Sequence, residues 1–251
     1  MLLMSFIAQK IKKVNVPKVL SLVFFIGLIY LIGSSYFKLK TWLTDERSLP
    51  MTELILTGEQ KHISLQDVRN ILISQKSRLN FFTLEISKIQ SEVEALPWVY
   101  SASIRKSWPT TIKIHIVEQS IVAIWNDHDL LNRFGEIVYA SPENLGGEYV
   151  SLYGEDKYSN DVLITYRKVN KLLKTDHFEI ASLTSDVRQA TQVVLKNGFK
   201  LNLGQEQKLD RIQSFLNVFP LLGKKYDTDK IDYIDFRYDT GFAIGWKQNE
   251  K

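Results

Sequence analysis

One uninterrupted apolar segment near the start of the chain constrains its fold more than any other feature. Val19–Phe37 reads VLSLVFFIGLIYLIGSSYF and contains no charged residue over 19 positions. A helix of that length rises about 28 Å, which is close to the roughly 30 Å hydrocarbon core of a bilayer. The segment therefore predicts a single transmembrane helix over residues 19–37, with a polar body attached to it.

The residues that flank this segment predict its orientation. Residues 1–18 contain four lysines and no acidic residue, so we expect them to remain in the cytoplasm as a short tail while the body is translocated. A cleaved signal peptide is the alternative interpretation. Its apolar core is typically about 7–15 residues long and ends at a small-residue cleavage site. This segment is longer and ends in Ser35–Lys38 without an A-x-A pattern, which favours an uncleaved anchor.

Composition narrows the class of protein further. The 251 residues are 45% hydrophobic and 24% charged, as in folded globular proteins, and leave room for two domains of ordinary size after the anchor. The net charge of +4 equals the four lysines of the tail, so the remainder sums to zero and gives no evidence for nucleic-acid binding. The absence of cysteine excludes disulfides, iron–sulfur clusters and thiol catalysis.

After a charged connector over residues 38–50, residues 51–119 predict a compact α+β unit. Ser64 and Asp67 have nearly the spacing and chemistry of a capping box, so a helix is expected to begin there. Alternating apolar residues in Thr111–Glu118 are typical of a half-buried strand. The predicted order is strand Glu53–Thr57, a helix from Ser64, helix Ser87–Leu96, strand Trp98–Arg105 and strand Thr111–Glu118.

Residues 120–251 predict a mixed α/β domain dominated by an antiparallel sheet. Asn197-Gly198 is a strong signal for a hairpin turn, and Pro220 is expected to end or kink the helix in which it lies. The predicted strands are Ile121–Trp125, Glu136–Ala140, Tyr149–Tyr153, Gln192–Leu195 and Phe199–Leu203, and the predicted helices are Val162–Leu173 and Glu206–Leu222.

The C-terminal segment Ile231–Lys247 is too long for one ordinary strand. A turn at residues 239–241 divides it into strands Ile231–Tyr238 and Phe242–Lys247. The last strand has no charge, proline or bulge to protect it between Gly241 and Trp246, so it is a candidate for strand addition by a partner. The alternative is a core strand that is paired on both sides, with Trp246 buried.

Signals for catalysis or metal binding are weak. The four histidines lack ligand spacing, and Asp127-His128-Asp129 is better explained as a solvated turn than as a metal site. No motif supplies a nucleophile with its base. We therefore expect neither an enzyme nor a cofactor. Trp98 and Trp108 lie at the two ends of a predicted strand and could form an exposed aromatic docking patch. The favoured alternative places Trp98 in the core of the first unit and packs Trp108 over the turn beside Pro109.

Several short segments, in the same order along the chain, resemble the FtsQ family of bitopic cell division proteins of Gram-negative bacteria. They cover nearly the whole chain and include the basic tail with one span. The matching segments are Leu54–Glu59, Leu96–Val99, Ile104–Pro109, Lys113–Glu118, Trp125–Asp127, Lys200–Gly204 and Arg237–Gly241.

The resemblance implies a POTRA domain at 51–119 and a β-domain at 120–251, held in the periplasm by an inner-membrane anchor at the division site. It implies a scaffold that binds the FtsB–FtsL pair, with FtsB adding a strand to the last strand, and it links the POTRA domain to FtsK. Thr240 and Phe242 depart from the family pattern, and whether the body self-associates stays open. The implied partner-binding residues are Arg188, Arg237, Tyr238, Thr240, Gly241, Phe242, Ala243, Ile244 and Trp246.

Two alternatives can be compared with this interpretation. An envelope assembly factor that escorts outer-membrane proteins would carry several POTRA units or a C-terminal barrel, whereas only one such unit is visible. An anchored cell-wall enzyme would need a nucleophile–base pair or a metal constellation, and the sequence shows none.

Overall fold

The computed structural model describes residues 16–45, 48, 50, 52–74, 80–238 and 240–247, apart from the side chains of residues 16 and 144. Most of the predicted tail (1–15) and parts of the predicted connector (46, 47 and 49) lie outside these residues. Helix α1 spans Val16–Thr44, and its side chains are exposed throughout its apolar part. It is the one helix in the described part of the chain that is long and apolar enough to cross a membrane. It extends beyond the predicted span on both sides, so much of the predicted connector is helical.

The remainder divides into two compact units. The first contains the described residues up to Gln60 together with Ser64–Val93 and Ala102–Ile116. The second contains Lys61–Ile63, Glu94–Ser101 and the chain from Val117 onward. Each unit is made of segments that alternate along the sequence, so the two units do not meet at one boundary. The predicted domains at 51–119 and 120–251 therefore stay a prediction.

The described residues between 53 and 118, most of which belong to the first unit, have the predicted element order around a three-stranded sheet. The strands lie in the order β1-β3-β2, and β1 pairs with β3 in parallel. The Ser64 hydroxyl donates to Asp67 (2.6 Å) and accepts from its backbone N–H (3.2 Å), which confirms the helix start. The elements are β1 (Glu53–Gly58), α2 (Leu65–Ser74), α3 (Ile86–Glu94), β2 (Val99–Ser107) and β3 (Thr111–Glu118).

The second unit is built on a mixed sheet of nine described strands with two long helices. The order is β12-β11-β10-β9-β8-β7-β4-β5-β6. The strands are β4 (Ile121–Trp125), β5 (Asp129–Asn132), β6 (Ile137–Val138), β7 (Val150–Tyr153), β8 (Ile180–Ser185), β9 (Thr191–Leu195), β10 (Lys200–Gly204), β11 (Ile231–Asp235) and β12 (Ala243–Trp246). The helices are α4 (Ser159–Leu173) and α5 (Lys208–Lys225), with 3₁₀ turns at Pro142–Asn144, Asp156–Tyr158, Lys174–Asp176 and Thr228–Lys230.

The strand directions determine where the loops of this sheet lie. Pairs β4–β7, β7–β8 and β10–β11 are parallel, and β9 is antiparallel to both of its neighbours. The C-terminal ends of β8, β10 and β11 and the start of β12 therefore lie at the same end of the sheet. Both helices contribute to the core, in which Trp125, Leu163 and Phe215 are completely buried.

Several predictions about individual elements were wrong. Strands β5 and β8 were missed, and the predicted strand Glu136–Ala140 shortens to two residues. Of the two outcomes predicted for Pro220, the end of the helix is wrong: α5 continues to Lys225, because Phe215 and Leu222 are buried on either side of Pro220 and hold the helix in the core. The loss of one backbone hydrogen bond at proline is outweighed by this burial. The kink stays a prediction.

Both tryptophans of the first predicted domain also differ from expectation. Trp98 is half-buried, with its ring stacked on His62 at 3.8 Å, instead of lying in the core. Trp108 is 72% exposed and does not pack over its turn. An aromatic residue next to proline in a hairpin turn indicates the turn but not what covers the ring.

Candidate functional site: the C-terminal edge strand

Strand β12 lies at one end of the nine-stranded sheet. It pairs antiparallel with β11, and the described residues place no strand on its other side. The alternative of a strand paired on both sides is therefore wrong for this part of the chain. The two strands are shorter than predicted, so Tyr238, Thr240 and Gly241 lie in the connection between them, and Asp239 falls outside the described residues.

The backbone groups that face the free side of β12 follow from two hydrogen bonds. The Lys247 N–H donates to the Lys230 carbonyl (2.8 Å), and the Phe236 N–H donates to Asn202 of β10 (2.9 Å). Because backbone groups alternate between the two sides of a strand, both bonds predict the same pattern. Ala243 and Gly245 face β11, whereas Ile244 and Trp246 direct their N–H and C=O groups to the free side.

The side chains of β12 differ in how deeply they are buried. Ile244 and Phe242 are partly buried against the core, and the Phe242 ring lies 5.5 Å from that of Phe236. Trp246 is 48% exposed, and its ring meets Tyr226 edge-on at 5.6 Å. This aromatic pair therefore lies beside the unpaired backbone edge and is accessible to solvent.

Tyr233 is a residue at this site that sequence reasoning missed. It is directly opposite Gly245 in the register, and a Cβ at position 245 would lie 2.1 Å from its ring. The space beside Gly245 is thus occupied by a tyrosine of the neighbouring strand. A glycine opposite an aromatic residue across a hairpin is the signal that could have identified the pair.

We expect Gly245→Ala to displace the Tyr233 ring and lower the free energy of unfolding by about 1–3 kcal/mol, the usual range for overpacking. The matched control is Gly241→Ala, because a Cβ there would meet nothing within 4 Å. Thermal unfolding of the two variants measures the difference. Equal midpoints would contradict the prediction.

An ion pair organises the connection that follows β11. The buried Asp235 carboxylate accepts two hydrogen bonds from Nε and one from Nη2 of Arg237, at 2.7–3.0 Å, and a fourth from the Arg237 backbone N–H. The side-chain hydrogen bonds from Arg237 hold the pKa of Asp235 below its usual value, although burial opposes this. The pair fixes the chain next to the exposed Tyr238.

Arg188 is the predicted site residue that the structure places apart from the others. It is exposed in the turn between β8 and β9, at the same end of the sheet as the β11–β12 connection. Three to four strand spacings separate β12 from this turn, or about 14–19 Å. A single strand added to β12 would not reach it.

Elsewhere in the second unit a cluster of charged side chains lies beside a cavity. A cavity of about 440 Å³ is lined by residues including Tyr166, Glu179 and Lys196. Lys196 bridges Glu148 and Glu179 at 2.9 Å each, and these bonds raise its pKa. Among the described residues no group of three or more His, Asp or Glu side chains could hold a metal ion.

A membrane-helix candidate precedes a small three-stranded sheet and a mixed sheet whose terminal strand has a free edge among the described residues. The comparisons give the class: a protein with a POTRA-type domain behind a candidate membrane helix. Residues 49–119 match the family model "POTRA domain, FtsQ-type" and residues 123–237 match "Cell division protein FtsQ/DivIB, C-terminal".

Curated relatives extend the similarity to most of the chain. The chain is 38% identical to the cell division protein FtsQ of Vibrio cholerae over 89% of its length and 85% of that protein. It is 36% identical to that of Aliivibrio fischeri over 98% and 94%, and 34% identical to that of Escherichia coli over 82% and 76%. The chain belongs to the FtsQ family of cell division proteins. The candidate membrane helix and this family fit a single-pass membrane protein at the division site.

Proposed function

We propose that this protein is a non-catalytic scaffold of the division machinery that binds the periplasmic FtsB–FtsL pair, with FtsB adding a β-strand to β12. In this orientation the tail lies in the cytoplasm and the body in the periplasm, as the basic residues of the tail predict. The observation that carries it is the free side of β12, where the N–H and C=O groups of Ile244 and Trp246 have no neighbouring strand among the described residues.

Backbone pairing alone would give a weak complex. Each hydrogen bond contributes about 0.5–1.5 kcal/mol net, and a strand of four residues offers few outward groups. Affinity and specificity therefore need side-chain anchors next to the edge. Exposed aromatic surface lies next to the edge. It consists of the Trp246–Tyr226 pair and of Tyr233, whose ring lies beside Gly245. Tyr238, Thr240 and Gly241 extend the contact surface into the connection.

The basic residues favour an acidic partner segment. Arg237 keeps more than half of its side chain exposed despite its pairing with Asp235, and Arg188 lies exposed across the sheet end. Because the strand spacing separates these two residues, a partner that contacts both needs a second segment beyond the added strand. The resemblance to the family further supports a contact of the POTRA-type unit with FtsK.

The test replaces one outward-facing N–H. We expect Ile244→Pro to abolish capture of the periplasmic FtsB–FtsL segments, because proline removes a donor on the free side while leaving the bonds to β11 in place. Ile244→Val is the matched control, since it keeps the N–H and most of the packing. Trp246→Ala tests the aromatic anchor, and we expect at least a tenfold loss of affinity, about 1.4 kcal/mol or more.

Capture is measured with the full chain in detergent, and circular dichroism and thermal unfolding show that each variant remains folded. Full capture by folded Ile244→Pro would exclude strand addition at this edge. Loss of capture by Ile244→Val would indicate a packing effect instead of a backbone effect, and would also count against the proposal.

A further inference from the structure

The length of helix α1 determines how far the chain is carried beyond the bilayer. The 29 residues of Val16–Thr44 rise about 43 Å, whereas the hydrocarbon core is about 30 Å thick and the bilayer with its headgroups about 40–45 Å. The apolar segment ends at Phe37, and the following seven residues add about 10 Å. By these figures each headgroup layer is about 5–7.5 Å thick, so the end of α1 lies about 3–5 Å outside it.

One end of the first unit is bound directly to this helix end. The side-chain amide of Asn80, which is completely buried, donates to the Asp45 carbonyl at 2.7 Å. Pro50 forms a β-bridge with Asn80, and the Thr52 N–H donates to the Thr110 carbonyl at 3.0 Å. The β2–β3 turn and the loop that begins at Asn80 thus lie beside the point where α1 ends.

This end of the unit exposes large aromatic side chains. Trp108 is 72% exposed and Phe82 is 49% exposed. The Lys106 ammonium donates to the Phe81 carbonyl (2.6 Å) and lies 5.6 Å from the centre of the Phe81 ring, which ties the end of β2 to the loop after Asn80. Tryptophan in particular is enriched at membrane–water interfaces, where one part of the ring system is apolar and the other hydrated.

We propose that Trp108 and Phe82 insert into the phospholipid headgroup region on the side of the bilayer where α1 emerges. The occupant of this aromatic surface is then lipid, because the Asp45–Asn80 bond holds this end of the unit within a few ångströms of the headgroups, a gap that a large aromatic side chain can span. The insertion gives the POTRA-type unit a second attachment to the membrane beside α1. It is independent of the edge strand β12.

The absence of native cysteine permits a clean measurement with single nitroxide labels. Ser107→Cys places the label at the aromatic end of the unit. Gln60→Cys places it past the opposite end of β1, because β1 runs away from the β2–β3 turn in its parallel register with β3. Six residues of strand separate the two ends by about 20 Å. Both full-length proteins are reconstituted in nanodiscs of phosphatidylethanolamine and phosphatidylglycerol.

In the nanodisc, we expect the label at position 107 to be much less accessible to a water-soluble nickel chelate than the label at position 60. The label at position 107 should remain accessible to oxygen. Trp108→Ser combined with Phe82→Ser should restore nickel access at position 107, and Trp108→Tyr should not. Equal nickel access at both positions in the nanodisc would overturn the proposal. So would protection of position 107 that appears only after a protein partner is added.

Discussion

Replacing Trp125 with alanine is expected to lower the free energy of unfolding of the second unit by about 3–5 kcal/mol, the usual cost of deleting a large buried aromatic side chain. Trp125 is completely buried in β4, and its indole N–H donates to the Asp156 carboxylate at 2.8 Å. A Cβ at Gly154 would lie only 3.2 Å from the ring, so the packing there is tight. The variant leaves a cavity in the core and removes the indole hydrogen bond to Asp156.

The matched control for this prediction is Trp108→Ala, which removes the same side chain from an exposed position and should change the stability in detergent by less than about 0.5 kcal/mol. Trp125→Phe should fall between the two, because it restores part of the volume but not the N–H. Denaturant unfolding of the full chain, with amide exchange in β4 and β7 as a local measure, gives the comparison. If Trp108→Ala and Trp125→Ala lowered the free energy of unfolding by similar amounts, burial of the tryptophan would not explain the loss of stability.

The second large effect is expected at Glu118. One oxygen of its carboxylate accepts the backbone N–H groups of Lys61, His62 and Ile63 at 2.9–3.0 Å, and the other lies 3.2 Å from Nδ1 of His62. Its side chain is 5% exposed. Glu118→Ala removes the acceptor of three donors at once, so we expect a loss of about 3–4 kcal/mol. Glu118→Gln keeps a weaker, neutral acceptor and should lose less.

Glu53→Gln is the control for the Glu118 variants, because the exposed Glu53 carboxylate accepts one hydrogen bond, from Thr111 at 2.8 Å. We expect it to change the free energy of unfolding by less than about 0.5 kcal/mol. Chemical unfolding at neutral pH measures all three variants. A Glu118→Ala variant as stable as Glu53→Gln would contradict the role of the three N–H groups.

The Glu118 contribution should also depend on pH. Burial raises the pKa of Glu118, but the hydrogen bonds from His62 and Ile63 and the His62 charge outweigh it and leave the pKa below the usual 4.5. A carboxyl group with a lowered pKa in the folded state contributes stability above its unfolded pKa and loses it as the pH falls through the folded pKa. The difference between the native protein and Glu118→Gln should therefore be largest at neutral pH and shrink below about pH 4.5. A difference that grows in acid would contradict this.

Local signals predicted the elements that depend on nearby residues. Ser64 and Asp67 formed the expected cap, Thr111–Glu118 is a strand with the predicted bounds, and Asn197-Gly198 joins two paired strands. The cap and the turn are stabilised by contacts within a few residues, and the strand shows its alternation in consecutive residues although it pairs with β1, which is distant in the sequence. The elements that failed depend on distant contacts. Pro220 stays inside a helix because the core holds both flanks, and β8 forms between β7 and β9, which its own residues do not reveal.

The candidate site divides in the same way. The residue pattern alone identified a membrane-spanning segment, a final hairpin and the absence of protecting charge on its last strand, because apolar length and alternation are properties of consecutive residues. Only the tertiary structure decided that this strand lies at the end of the described sheet, that Tyr233 occupies the space beside Gly245, and that Asn80 is bound to the residue that follows α1. Each of those facts depends on which distant residues are brought together, and sequence spacing carries no such information.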